Sequence, residues 1–181
     1  YHDNKFTTLG LFKIKKFDWS TLKKNTENFL LEYKKREKID IIIKYKTGIS
    51  EEKKIIKKFK NTGIQMIRNS TGHELLKNAS IVISFNSTTI FEAIAAKIPV
   101  IIPYFKISPS QKNFVYGINK SKNVYIVKNK RMFFKTLDLL RKKNKKYTAN
   151  NIEKNVLFKF MGNNKGDSKS KLNTTIKNLS N

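Results

Sequence analysis

Four polar residues in a row, Asn86-Ser87-Thr88-Thr89, stand between a β-branched segment, Ile81-Val82-Ile83, and a small apolar helical segment, Ile90 to Lys97. In an open α/β sheet, ligands bind at the carboxyl ends of strands. A helix that starts there presents unpaired backbone N–H groups and a partial positive charge, which suit a phosphate. The hydroxyls of Ser87, Thr88 and Thr89 add donors at the same place. The same residue types are also ordinary helix caps, and a cap alone explains most such turns. Glu92 separates the two readings. It stands about one turn further in and is followed by Ala93-Ile94-Ala95-Ala96, a small face that packs closely on a sheet. A carboxylate beside such a face needs a partner, and the two hydroxyls of a ribose are one it can accept from. Phosphate at the turn and ribose at the acid describe one nucleotide.

Four other residues could do chemistry. Lys44 ends the apolar run Ile39–Ile43, where it could reach a phosphate, and Lys46 could add charge beside it or remain solvated. His73, in Thr71-Gly72-His73-Glu74, has the type of a general base, but a lone histidine there also reads as a surface or capping residue. Tyr104, with Phe105, follows a strand that ends at Pro103, so a base could stack on it; simple packing is the alternative. The run Arg141–Lys146 reads as a solvated helix end.

The elements that must hold these residues alternate between strand and helix. Phe6–Ile14 reads as a strand. Asp18 or Ser20 can cap a helix to about Lys38, with Leu22, Phe29, Leu30 and Tyr33 at helical spacing. Ile39–Ile43 is near-continuously apolar, as in a sheet covered on both faces. A short helix from Ser50 to Lys60, a strand Ile64–Ile67, a helical turn His73–Asn78 and the strand Ile81–Ile83 follow. Then come the helix Ile90–Lys97, the strand Pro99–Pro103, a long loop, the strand Val124–Val127, and a helix Lys130–Lys143 capped by Asn129. This order predicts one Rossmann-like α/β domain over residues 1–146, an open parallel sheet with helices on both faces. Residues 147–181 read as a helical tail, with a helix at Asn151–Met161. It is expected to pack back on that domain or on an N-terminal half absent from this chain.

The segment Ile81 to Ala93, followed by Ala96-Lys97-Ile98-Pro99-Val100-Ile101, resembles the donor-site segment of GT-B glycosyltransferases. It is most similar to bacterial surface-carbohydrate enzymes, and more distantly to CDP-glycerol glycerophosphotransferases and UDP-N-acetylglucosamine 2-epimerases. The resemblance implies that a Ser-rich turn binds the donor diphosphate and that a glutamate in the next helix binds the ribose, after which Lys-x-Pro-Val opens a strand. It therefore assigns donor binding to Lys44, Asn86, Ser87, Thr88, Thr89 and Glu92, with Lys46, His73 and Tyr104 as further candidates and no catalytic residue identified. Lys44-Tyr45-Lys46 keeps the lysine of a Lys-Pro-His-Pro type loop but not its proline or histidine. Phe160–Ser168 resembles the family's closing Gly-Asn-x-Asp-Gly-x-Ser segment with its Asp and Gly reordered.

Composition bounds the partners. Among 181 residues, 39 are basic and 13 acidic, a formal charge of +26. Nearly all of the basic residues are lysine; only Arg36, Arg68, Arg131 and Arg141 are arginine, the residue of bidentate phosphate and base recognition. With abundant Asn and Ile, the lysines match codon drift in an AT-rich genome, and an anionic membrane surface is a second reading. Specific nucleic-acid binding is not expected. The absence of cysteine excludes disulfides and thiolate catalysis. There is no Asp-x-Asp, so no metal and no cofactor are expected. No stretch reaches the ~18 apolar residues that span a bilayer. The chain opens on Tyr1, which reads as a fragment. The expected location is cytoplasmic, peripheral to the inner face of a membrane.

Three functions compete. The first is transfer of a glycosyl or phosphoalcohol group from a nucleotide-activated donor to a glycan or lipid-linked acceptor, in surface-polysaccharide synthesis, with the acceptor held by an N-terminal domain. The second is nucleotide-sugar 2-epimerisation, for which no acid/base carboxylate pair stands out. The third is a lysine-rich polyanion-binding module, which needs aromatics interleaved with cations on one surface; most aromatics here fall at core-like positions.

Overall fold

Two short parallel sheets share one layer of helices. The computed structural model describes residues 8–9, 12–13, 19–45, 55–85, 87–105, 121–142 and 154. The chain begins with an antiparallel hairpin, β1 (Thr8–Leu9) against β2 (Phe12–Lys13), where one strand Phe6–Ile14 was expected. Then follow α1 (Trp19–Arg36), β3 (Ile41–Lys44), α2 (described over 55–59), β4 (Ile64–Ile67), α3 (Gly72–Leu76) and β5 (Val82–Ile83). After these come α4 (Thr89–Ala95), β6 (Val100–Pro103), β7 (Val124–Val127) and α5 (Lys130–Lys142). The expected tail lies outside the described residues except for Lys154, which is helical and exposed.

The protein is mixed α/β with small parallel sheets. β3 pairs with β4, Ile41 beside Ile64 and Lys44 beside Ile67. β5, β6 and β7 form a second parallel ladder in that order. Among the described residues these ladders do not join into one open sheet, and β5, expected inside the sheet, is the edge of its ladder. Only Val82 and Ile83 are extended between the turn closed by the Ala79 N–H on the Leu76 carbonyl and the Ser84 bond to Ile101. Two residues leave little backbone for a second ladder.

Alternation along the strands builds two cores. On one side Ile41, Ile43, Ile64, Met66, Ile81, Ile83, Ile101 and Val127 meet α1, α2 and α5 through Leu22, Leu30, Tyr33, Ile55, Phe59, Phe133, Leu137 and Leu140. On the other side Val82, Val100, Ile102 and Val124 meet Leu76 of α3 and Ile90, Phe91, Ala93 and Ile94 of α4. β6 is therefore apolar on both faces, and Val100, Ile101 and Ile102 are at most 1% exposed. Each such side chain contributes about 1.5–3 kcal/mol by leaving water. β3 differs from the expectation. Ile42 is 46% exposed, so this strand is covered on one face only. A β-branched run fits either case, because such residues suit strands whether or not both faces are buried.

Across the seam between α1 and α5, the Tyr33 hydroxyl donates to Asp138 Oδ1 at 2.7 Å, and Arg36 Nη2 donates to the same oxygen at 2.6 Å. Arg141 donates to Glu37 Oε2 at 2.7 Å, so it is paired rather than part of a solvated helix end. The Arg36 guanidinium lies 4.8 Å from the Tyr33 ring centroid and 5.0 Å from that of Phe134. Asn129 caps α5 as expected, its Oδ1 accepting from Met132 N at 2.9 Å.

Candidate functional site

The turn after β5 and the start of α4 carry the candidate residues. Ser84 N–H bonds Ile101 and ends the ladder. Ser87 then organises the turn. Its Oγ accepts from Thr89 N at 3.3 Å and donates to Thr89 Oγ1 at 3.2 Å, and its carbonyl accepts from Ile90 N at 3.1 Å. The Thr88 carbonyl accepts from Phe91 and Glu92 N–H. The first turn thus uses most of its own donors. Ser87 and Thr88 are left as the amides with no acceptor among the described residues. Fewer N–H groups are open to an anion here than a free helix start would offer.

The end of α4 is equally specific. Ile98 N–H bonds the Ala93 carbonyl at 2.9 Å and Lys97 N–H bonds Ile94 at 3.0 Å, the paired bonds of a Schellman closure. Lys97 takes the left-handed position, with φ of 60°, where glycine is usual. The buried Ile98 follows, and the Pro99 carbonyl accepts from Val82 N–H at 3.0 Å. The Lys-Ile-Pro-Val segment is thus a helix stop feeding a central strand, which fixes α4 against β5 and β6.

α3 supplies the facing wall. Thr71 caps it through a reciprocal box: its Oγ1 accepts from Glu74 N at 3.2 Å, and its N–H donates to Glu74 Oε2 at 2.8 Å. These bonds from the Thr71 backbone and side chain hold the Glu74 carboxyl below its ordinary range. Gly72 follows at the first helical position. A Cβ built there would lie 3.1 Å from Glu92 Oε2 and 3.8 Å from Thr89 Oγ1. Glu92 and Thr89 therefore share the face of α4 turned to Gly72, and Ser87 adjoins Thr89. This brings Ser87, Thr89 and Glu92 into one polar line, half-buried, at the carboxyl end of β5. Glu92 has no salt-bridge partner among the described residues.

The other candidates stand apart from this line or outside it. Thr88 is exposed and makes no side-chain cap bond. Lys44 ends β3, exposed, on the strand face opposite Ile41 and Ile43. His73 is exposed on α3, and its neighbour Glu74, not His73, makes the cap. Tyr104 is 6% exposed, with its ring 6.1 Å from that of Phe85 and its phenol pushed above its ordinary range by burial. Phe105 packs edge-on to Phe29 at 5.1 Å. Both aromatics are committed to the interior. Asn86 and Lys46 lie outside the described residues. Gly72 was absent from the sequence-based set, although its place three residues before Leu75 and beside a capping threonine marked a helix start.

Among the described residues no group of three or more His, Cys, Asp or Glu could hold a metal ion, and no helix is long and apolar enough to cross a membrane. Comparison with family models, with curated proteins and with solved structures finds no match to this chain.

Proposed function

We propose that this chain binds the nucleotide part of an activated sugar or phosphoalcohol, as the donor-binding portion of a GT-B-type glycosyltransferase of surface-glycan synthesis. The observation that carries the reading is the half-buried Glu92 carboxylate, unpaired among the described residues and set beside Thr89 and Gly72. A carboxylate with hydroxyls at one side and a bare glycine at the other suits a vicinal diol. In this reading, the hydroxyls of Ser87 and Thr89, in the same half-buried line, meet the neighbouring phosphate.

Topology supports the same reading. α2 leads from β3 to β4 over the first core, and α3 leads from β4 to β5 over the second. Crossovers between parallel strands are right-handed in nearly all cases. Two right-handed crossovers on opposite faces move in opposite directions, so β5 belongs beyond β3 and not beyond β4. The implied order is β4-β3-β5-β6-β7, a doubly wound, Rossmann-like arrangement whose winding reverses between β3 and β5. Ligands of such folds bind in the crevice at that reversal. Lys44 ends one of the two strands and Ser87 follows the other. In this reading, Ser87, Thr89 and Lys44 stabilise negative charge as it develops on the leaving diphosphate. A cytoplasmic location is its corollary.

A panel of UDP-, CDP-, GDP- and CMP-linked sugars, scored by thermal stabilisation, tests it. One nucleotide class should raise the unfolding temperature, and Glu92→Gln should abolish most of the shift while pyrophosphate binding persists. Equal, salt-sensitive stabilisation by every polyanion would instead identify a diffuse lysine surface.

A further inference from the structure

α5 turns Phe133, Leu137 and Leu140 to the core and its opposite face to solvent. At 3.6 residues per turn, Arg131, Lys142, Lys135, Leu139 and Met132 fall on one arc of about 100° of that outer face. All five are exposed. The arc holds three cations, two apolar side chains and no acid; Asp138, at its border, is engaged by Tyr33 and Arg36. None of the three cations has an ion-pair partner among the described residues, whereas Lys130, on the flank toward α1, is bound to Glu32 at 2.6 Å. Among the described residues, the exposed large hydrophobics are Ile42, Ile56, Met132 and Leu139, so two of these four share this arc.

A solvated lysine face needs no apolar residues, and an interface between copies of a chain charged at +26 would set like charges together. Cations alternating with exposed Met and Leu fit a different neighbour. Apolar side chains can enter the headgroup–acyl boundary while long basic side chains reach back to lipid phosphates. We propose that the outer face of α5 docks on an anionic lipid bilayer, with Met132 and Leu139 inserting and Arg131, Lys135 and Lys142 pairing with phosphate headgroups. α5 and α4 pack on opposite sides of β6 and β7, so this surface does not overlap the Ser87–Glu92 line. The proposal goes beyond donor binding and does not rest on it.

Sedimentation of the full chain with vesicles of phosphatidylcholine alone, or mixed with phosphatidylglycerol, tests the assignment. The unaltered chain is expected to bind only the mixed vesicles. Lys135→Glu with Lys142→Glu should weaken that binding by at least about tenfold, since each surface cation is worth about a fivefold change in affinity. Met132→Gln with Leu139→Gln should weaken vesicle binding severalfold and leave binding to single-stranded RNA unchanged. The control pair Lys23→Glu with Lys24→Glu, exposed on α1, should change vesicle binding less than about twofold. All six sites are exposed, so each variant should fold, which circular dichroism checks before the vesicle assay. Failure to bind anionic vesicles, an equal loss in the control pair, or no loss from the apolar pair would each overturn the proposal; the last, with tight RNA binding, would identify a nucleic-acid surface.

Discussion

The Glu92 carboxylate lies directly over Gly72, close enough that one added carbon would stand 3.1 Å from Oε2. That gap is tighter than most side-chain contacts, and the atom that must move is the far end of a flexible side chain. The backbone of Gly72 is helical, so alanine fits it without strain. Gly72→Ala should therefore leave stability within about 0.5 kcal/mol while turning the carboxylate away. Donor binding should fall by about tenfold or more, the loss of one charged hydrogen bond. Calorimetry beside chemical denaturation reads both quantities. An alanine variant that binds normally would remove Glu92 from the ligand.

The residues of the polar line should separate by the part of the ligand each one meets. Ser87→Ala removes the acceptor of Thr89 N–H, at about 0.5–2 kcal/mol of stability, and one phosphate donor, at about 1.5–3 kcal/mol of binding. Glu92→Gln should weaken nucleotide-sugar binding and spare pyrophosphate, which has no ribose. Lys44→Ala should weaken both, and the exposed Lys24→Ala neither. Titrations at two salt concentrations decide it: if Lys24→Ala harms binding as much as Lys44→Ala and both effects vanish in salt, no specific site exists.

Local signals were legible in the sequence, and contacts between distant segments were not. The strands Ile64–Ile67 and Val124–Val127 and the Asn129 cap follow from short-range pattern and chemistry. The polar turn at Ser87–Thr89 was visible for the same reason. Which faces of β3 are covered could not be read, because Ile42 has the same type whether buried or 46% exposed. Gly72 meets Glu92 only through the packing of α3 on α4, and nothing in either local segment announces the meeting. Tyr104 looked available to a ligand from its place after β6; it is buried, with its ring 6.1 Å from that of Phe85, a residue distant in sequence. Arg141 looked solvated because its partners, Tyr33 and Glu37, are over a hundred residues away.

The stop of α4 offers a gain in stability. Lys97 holds a φ of 60°, a conformation costing a side-chain-bearing residue roughly 1 kcal/mol relative to glycine. Its side chain is exposed, and its role in the Schellman bonds is carried by backbone. Lys97→Gly should raise unfolding free energy by about 0.5–1 kcal/mol, reduced by glycine's greater freedom in the unfolded chain. A urea titration that shows a loss instead would mean the lysine side chain holds α4 in place.

The α1–α5 seam sets how stability depends on pH. Burial opposes ionisation of Asp138, yet hydrogen bonds from Tyr33 and Arg36 outweigh it and hold the carboxyl below its ordinary range. The hydrogen bond from Arg141 holds Glu37 low as well. A depressed carboxylate stabilises the fold above its unfolded pKa, and that contribution is lost as pH falls through the folded value. Tyr33 acts in the opposite direction. Burial first, then its bond to Asp138, pushes its phenol up, so its contribution is present below the unfolded value and lost as pH rises through the folded one. Stability should thus be flat from about pH 5 to about pH 9 and decline on both sides. Asp138→Asn should flatten the acid decline, and Tyr33→Phe the alkaline one. The tyrosine change should also cost about 1–2 kcal/mol near neutrality, because it removes a donor from Asp138 at a fully buried position. Urea midpoints near pH 4, 7 and 10 measure all three effects. An acid decline that persists undiminished in Asp138→Asn would move the acid-labile contact away from Asp138, and the other depressed carboxyls among the described residues, Glu37 beside Arg141 and Glu74 in its box with Thr71, would be the next to test.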